Sequence, residues 1–286
     1  MPLTAVSRTH PAPAGVAREA LKLLRARADP RRARGVQAYF KESVRAFGVT
    51  APRLREIAAQ LHARVKHEWT VDDAIALCDL LLPRPELEAK GVAILLLHRF
   101  RRTYPEALFA KTHGWLLTNR LDNWACVDAL CPDVVGALVA THPRLLRRLE
   151  AWAGSPNRWV RRASIVSLLK LARRPEFKDT VYAMAARHFD SDDDLVQKAA
   201  GWLLREAGKQ DMRALESFLR SHGPRIPRTT VRCAIERFPP TKRRALLVST
   251  RPDHVPASRS RAARISPSSA STGISFRGRR WQRSYQ

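Results

Sequence analysis

Apolar residues along this chain recur at intervals of three and four, the spacing that puts them on one face of a helix. The period begins at Val16-Ala17-Arg18-Glu19-Ala20-Leu21 and predicts a first helix that stops at Asp29-Pro30. A second is expected from Gln37 to Phe47, closed by Gly48 as its C-cap. Thr50 caps a third, with Pro52 in the first turn and Leu54, Ile57, Ala58 and Leu61 along one face. Thr70-Val71-Asp72-Asp73 opens a fourth that runs through Leu82. Pro85-Glu86 opens a fifth that runs to Arg102, and Pro105 a sixth that ends near Leu117. No alternating strand pattern occurs before residue 245, so the chain reads as all-α.

The second half repeats. Val160-Arg161-Arg162-Ala163 is followed 36 residues on by Val196-Gln197-Lys198-Ala199, and 35 residues later by Val231-Arg232-Cys233-Ala234. Asn157 and Asp194 precede the first two copies. A period of this length with V-x-x-A inside a helix is the mark of HEAT-like helical pairs, which stack into a superhelical solenoid and line its inner wall with the repeated helix. The segment from Leu121 to Cys131 fits the register, because Asp128 lies 34 residues before Arg162. Trp124 and Asp128 are four apart and share a helical face. The positions three and four from Asp128 hold Trp124, Ala125, Cys131 and Pro132, none of them basic. A carboxylate in so apolar a helix calls for a remote partner or a chemical role. The repeat register predicts Arg162 as that partner, on one wall with Trp124, Asp128 and Trp202. The plain alternative is an exposed Asp beside a core Trp. Trp69, Trp115, Trp152 and Trp159 are read as core.

Composition narrows the class of partner. The 286 residues carry 52 Lys and Arg against 26 Asp and Glu, a net charge of +26, which points to a polyanion. Ten of the basic residues are Lys and 42 are Arg, so a general arginine bias contributes to the sum. From Thr241 onward eleven Lys and Arg face the single acid Asp253; this end holds +10 and leaves +16 on the rest. Three segments are expected: a flexible N-terminus over 1–15, a repeat domain over 16–247, and a disordered basic tail over 248–286, rich in Ser, Arg and Pro. No apolar run approaches the length of a membrane span, the longest being Val92 to Leu97, and the N-terminus lacks the apolar core of a signal peptide. A cytoplasmic monomer that needs no membrane is therefore expected. The four cysteines form no C-x-x-C pair and the nine histidines no H-x-x-x-H pair, so reduced thiols, no metal site and no cofactor are expected.

Three segments together carry a family resemblance. Asn123-Trp124-Ala125-Cys126-Val127-Asp128, Asn157-Arg158-Trp159-Val160-Arg161-Arg162-Ala163 and Gln197-Lys198-Ala199-Ala200-Gly201-Trp202-Leu203-Leu204-Arg205-Glu206 resemble the AlkD-like DNA alkylation repair glycosylases. Tyr39-Phe40-Lys41 ahead of Phe47-Gly48-Val49 agrees, and the similarity runs from about residue 16 to 245. The resemblance implies a right-handed superhelix whose basic concave face holds duplex DNA. It also implies removal of N3- and N7-alkylated purines by cleavage of the N-glycosidic bond, a step of base excision repair. By the same resemblance Asp128 is the catalytic carboxylate, Trp124 and Trp202 contact the damaged nucleotide, and Arg162 supports the site and the DNA backbone. Tyr39, Lys41, Arg161 and Lys198 are implied as further contacts to DNA. Asn123 departs from the pattern, standing where an extra aromatic residue can occur.

The chemistry suits these residue types. A purine alkylated at N3 or N7 is cationic and leaves without much acid help, while positive charge develops on the sugar. A fixed carboxylate stabilises that charge and orients water. Tryptophan is the best ring for a cation, at about 0.5–2 kcal/mol. Two other uses of such a solenoid stand beside the enzyme: a nucleic-acid-binding module without chemistry, and a protein scaffold.

Overall fold

The computed structural model describes residues 10–251, and all the regular secondary structure among them is helical. They divide into two compact units, meeting in sequence at Pro143 and Arg144, and each is described by itself.

In the first unit the helices are α1 (Pro13–Ala26), α2 (Pro30–Val36), α3 (Ala51–Val65), α4 (Val71–Leu81), α5 (Leu87–Leu97), α6 (Ala107–Leu117), α7 (Trp124–Leu130) and α8 (Val135–Thr141). Helix α5 is the centre: it packs against α1, α3, α4 and α7. Its Val92-Ala93-Ile94-Leu95-Leu96-Leu97 run is apolar around the whole circumference, the pattern of a helix enclosed on all sides. Helix α4 begins with a capping box, Thr70 and Asp73 satisfying each other's backbone N–H groups.

Three expectations are corrected here. Asp29-Pro30 is a start as well as a stop. The Asp29 carboxylate accepts from the N–H groups of Arg31 and Arg32 at 2.9 and 3.0 Å, and Pro30 takes the first position of α2. The helix expected from Gln37 to Phe47 shrinks to a 3-10 turn over Gln37–Tyr39, and the chain then runs extended. Side chains have captured the backbone groups a helix would have used. The Gln37 amide donates to the carbonyls of Phe40 and Glu42 and accepts from Val44 N–H. Farther along, the carboxylate of Glu88 accepts from the N–H groups of Phe47, Gly48 and Val49 at 2.8, 2.8 and 3.0 Å. Gly48 does turn the chain with φ of 82°, but as part of this loop; a Cβ there would lie 2.2 Å from the Asp29 carbonyl oxygen. The N-terminal boundary also moves. Helix α1 already starts at Pro13, and Trp69 Nε1 donates to the Pro11 carbonyl at 2.7 Å.

One apolar stretch was passed over. Trp124–Thr141 is long and apolar enough to cross a membrane by length and composition. Here it forms the short helices α7 and α8, broken around Pro132, with 61% of it buried inside the protein. That is how a core segment is used.

The second unit holds α9 (Leu146–Ala151), α10 (Arg158–Val166), α11 (Lys178–Ala186), α12 (Asp194–Ala207), α13 (Met212–His222), α14 (Arg228–Ala234) and α15 (Pro240–Ser249). The repeated segments are α10, α12 and α14; α12 packs against both of the others. Caps recur with the period: Asn157 accepts from Trp159 N–H at 2.8 Å and Asp193 from Leu195 N–H at 2.9 Å. Gly201 sets the closeness of α12 to α14, since a Cβ would lie 2.5 Å from Cys233 Cβ and 2.6 Å from the Thr230 carbonyl oxygen. Helical structure runs on past Pro239. Leu246 is fully buried among Phe189, Leu215, Leu219 and Phe238, and the buried Thr250 Oγ1 donates to the Leu246 carbonyl and accepts from Arg228. The ordered helix thus extends beyond 247, and the tail expected from 248 falls outside the described residues from 252 onward.

Candidate active site

Trp124 is the first residue of α7 and Asp128 stands one turn on; both are half-buried. The start of this helix is fixed from several sides. Asn123, itself buried, caps it by accepting from Cys126 N–H at 3.0 Å and donates to Asp122 at 2.9 Å. Lys90 on α5, with 3% of its side chain exposed, donates to Asp122 Oδ1 and to the Arg120 carbonyl, both at 2.9 Å. A buried ammonium costs several kcal/mol to desolvate unless it is paired, so Lys90 ties the loop before α7 firmly to α5.

The ring of Trp124 is held as well. Phe40 stacks on it with centroids 5.1 Å apart and planes 20° from parallel, and Trp124 Nε1 donates to the Tyr39 carbonyl at 3.4 Å. The extended segment that brings Phe40 here is the one Glu88 gathers through three N–H groups. Two charged residues at positions 88 and 90 of α5 therefore position the two edges of the Trp124 site. The half-buried Tyr39 touches the site through its backbone, and Lys41 is exposed beside it. Cys126, under the same turn, is no nucleophile: burial, above all, pushes its thiol up to about 12.

In the second unit, Arg162 on α10 is buried, and its guanidinium donates to the Leu195 carbonyl at the start of α12. Trp202 on α12 is 8% exposed, little more than the 6% of the core Trp69 and Trp159. Arg161 is turned to the loop before its own helix and donates to the carbonyls of Ser155 and Pro156 at 2.8 and 2.9 Å. Lys198 donates to Asp194 at 3.1 Å. Ser164 is hydrogen-bonded at 3.1 Å to His188, which is pushed down to about 4 by burial and by the nearby Arg161 and Arg187 charges, and so stays neutral. Among the described residues no cluster of three or more His, Cys, Asp or Glu is placed to hold a metal ion.

The structure thus brings Trp124, Asp128 and the Tyr39 backbone together in one unit, and Arg162, Trp202, Arg161 and Lys198 onto two adjoining helices of the other. Phe40, Glu88 and Lys90 were missed as site-building residues. The signal for the last two was present: charges two apart in an otherwise apolar helix are buried, and buried charges hold something.

An all-helical repeat protein with a carboxylate and a tryptophan on one fixed helix start is the class these features define. Residues 20–238 match the family model of the DNA alkylation repair enzymes, and the chain belongs to that family. It is also similar to a solved structure described as a predicted DNA alkylation repair enzyme from Enterococcus faecalis. The identity is 21% and the TM-score 0.65, over 75% of this chain and 98% of that one, and the likeness is one of fold. No curated protein matches.

Proposed function

We propose that this DNA alkylation repair enzyme is a glycosylase that removes cationic N3- and N7-alkylated purines from duplex DNA by hydrolysing the N-glycosidic bond. The observation that carries the reading is Trp124 and Asp128, half-buried one turn apart on a helix whose start Asn123, Lys90 and Phe40 hold in place. A carboxylate stabilises a developing oxocarbenium charge in proportion to how well it is fixed before the reaction. Trp124 offers a π face for the cationic nucleotide, and Phe40 stacks behind it to resist displacement. Trp202 takes the second aromatic role and Arg162 a phosphate-supporting one; Tyr39, Lys41, Arg161 and Lys198 contact the backbone of the duplex. The protein acts as a monomer without a cofactor.

Replacing Asp128 with Asn tests the chemistry. Release of N7-methylguanine from duplex DNA should slow at least about tenfold relative to spontaneous loss, ~1.4 kcal/mol of transition-state stabilisation, with melting and DNA affinity unchanged. Neutral hypoxanthine or uracil should be released no faster than without protein. An Asn variant as fast as the parent removes Asp128 from the mechanism. A non-catalytic DNA-binding module is the second reading; the burial of Arg162 and Trp202, which suits packing, favours it. Absence of any base release by the parent would decide for it.

A further inference from the structure

The first unit has a cavity of about 510 Å3 at the far end of α5 from the Trp124 site, lined by the ends of α3 and α4 and the 3-10 turn His98–Thr103. The two ends of the eleven-residue α5 are about 15 Å apart. Lys66, Arg99 and Arg102 line this cavity with His62, Trp69 and Phe100, and no carboxylate does. We propose that it binds a nucleotide through its phosphate, with the base against the aromatic wall. This inference is independent of the glycosylase chemistry.

The charges carry it. Several cations elsewhere in this unit are matched: Arg53 with Glu56, Arg64 with Glu19, Lys90 with Asp122, and Lys111 and Arg120 with Asp79. Among the described residues no carboxylate lies within ion-pair distance of Lys66, Arg99 or Arg102. Asp73, in the first turn of α4, is occupied by Thr70 and His10. Carbonyls at the ends of α3 and α5 favour a cation nearby, but three cations around one concavity exceed what two helix ends compensate. His62 responds to the excess. Burial, then the Arg99 and Lys66 charges, hold its imidazole below the ordinary range, so it meets an incoming phosphate in its neutral form or gains a proton on binding. The volume exceeds what a lone phosphate fills. His62 and Phe100 meet edge to face at 5.8 Å, and their rings with Trp69 provide a surface for a planar base.

The test uses the full-length protein, AMP as probe and the His62 ring resonances as reporter. AMP should bind with a Kd of about 1 mM or tighter and raise the His62 pKa, while adenosine should do neither. The double variant Lys66→Gln, Arg99→Gln should keep its melting temperature and bind AMP at least about tenfold more weakly, as expected for losing two charge-assisted contacts. The proposal is overturned if AMP leaves His62 unmoved, if adenosine binds equally well, or if the double variant binds like the parent. A short single strand distinguishes the source of the phosphate. Competition by the 5'-phosphorylated strand alone assigns the site to strand ends, and competition by neither form assigns it to free nucleotides. Equal competition by the 5'-hydroxyl strand overturns terminal-phosphate recognition.

Discussion

Glu88→Gln should damage both the fold and the Trp124 site, although it changes one atom of a side chain far in sequence from the repeated segments. The carboxylate is 2% exposed and accepts three backbone N–H groups, Phe47 on Oε2 and Gly48 and Val49 on Oε1. Glutamine keeps one oxygen, which can still serve Gly48 and Val49. Its amide nitrogen then faces the N–H of Phe47, donor against donor. A hydrogen bond to a charged group contributes about 1.5–3 kcal/mol, and a buried donor left unsatisfied costs about 1–3 kcal/mol. The expected loss is therefore about 2–4 kcal/mol, a lowering of Tm by roughly 5–15 °C at this chain length. Because the same segment delivers Phe40 to Trp124, tryptophan fluorescence should become more accessible to quencher, and amide exchange at residues 47–49 should accelerate. Chemical denaturation, acrylamide quenching and hydrogen exchange give three readouts of one loop. A Gln variant within about 1 kcal/mol of the parent, with protected amides, would show that the carboxylate does not hold the segment.

Gly201→Ala should cost about 1–3 kcal/mol or more, because the new Cβ meets Cys233 and the Thr230 backbone inside 3 Å; an unchanged denaturation midpoint would mean α12 and α14 are not packed as closely as stated. His188 is held neutral with its pKa lowered from 6.5 to about 4, so its contribution is complete above pH 6.5 and is lost as pH falls toward 4, ~3 kcal/mol in all. His188→Gln should show a correspondingly smaller loss of stability between pH 7.5 and 4, and identical pH profiles for parent and variant would refute it. A chain ending at Leu247 should melt below one ending at Arg251, since it loses Thr250 and its bond from Arg228; equal transitions would show that this helix end contributes nothing.

The helices were readable because their cause is local. Spacing of Leu54, Ile57, Ala58 and Leu61 needs no partner to be recognised, and the 36-residue recurrence of Val160 at Val196 places α10 and α12 before any coordinate is known. The segment from 40 to 50 was misread because its cause is remote. Gln37 and Glu88 supply the bonds, and Glu88 lies some 40 residues farther on, where no propensity within the segment can register it. Asp29-Pro30 was misread for a different reason: a proline that ends one helix and one that starts the next give the same signal, and only the Asp before it separates them. For the site, Trp124 and Asp128 on one face were legible from their spacing. Trp202 was placed by the repeat register and by likeness to a family; its burial does not single it out, since it resembles that of the core Trp69 and Trp159.

The net charge of +26 has to be read against where the cations go. With 52 basic residues and 26 acidic ones, one-to-one pairing can satisfy at most half of the cations. Some arginines are directed onto backbone carbonyls: Arg161, which also lies 4.0 Å from Asp193, onto Ser155 and Pro156, Arg162 onto Leu195, and Arg228 onto Leu247. A carbonyl satisfies the geometry of a guanidinium without cancelling its charge. These arginines are thereby immobilised, and two of the three lie on α10. Immobilised cations lose little side-chain entropy when a phosphate arrives, unlike flexible surface lysines, which give up rotamer freedom of up to ~2 kcal/mol each on being fixed. Arginine outnumbers lysine 42 to 10 in this chain. Whatever its origin, that bias supplies the residue whose planar fork can hold a carbonyl on one edge and leave N–H donors on the other for a polyanion.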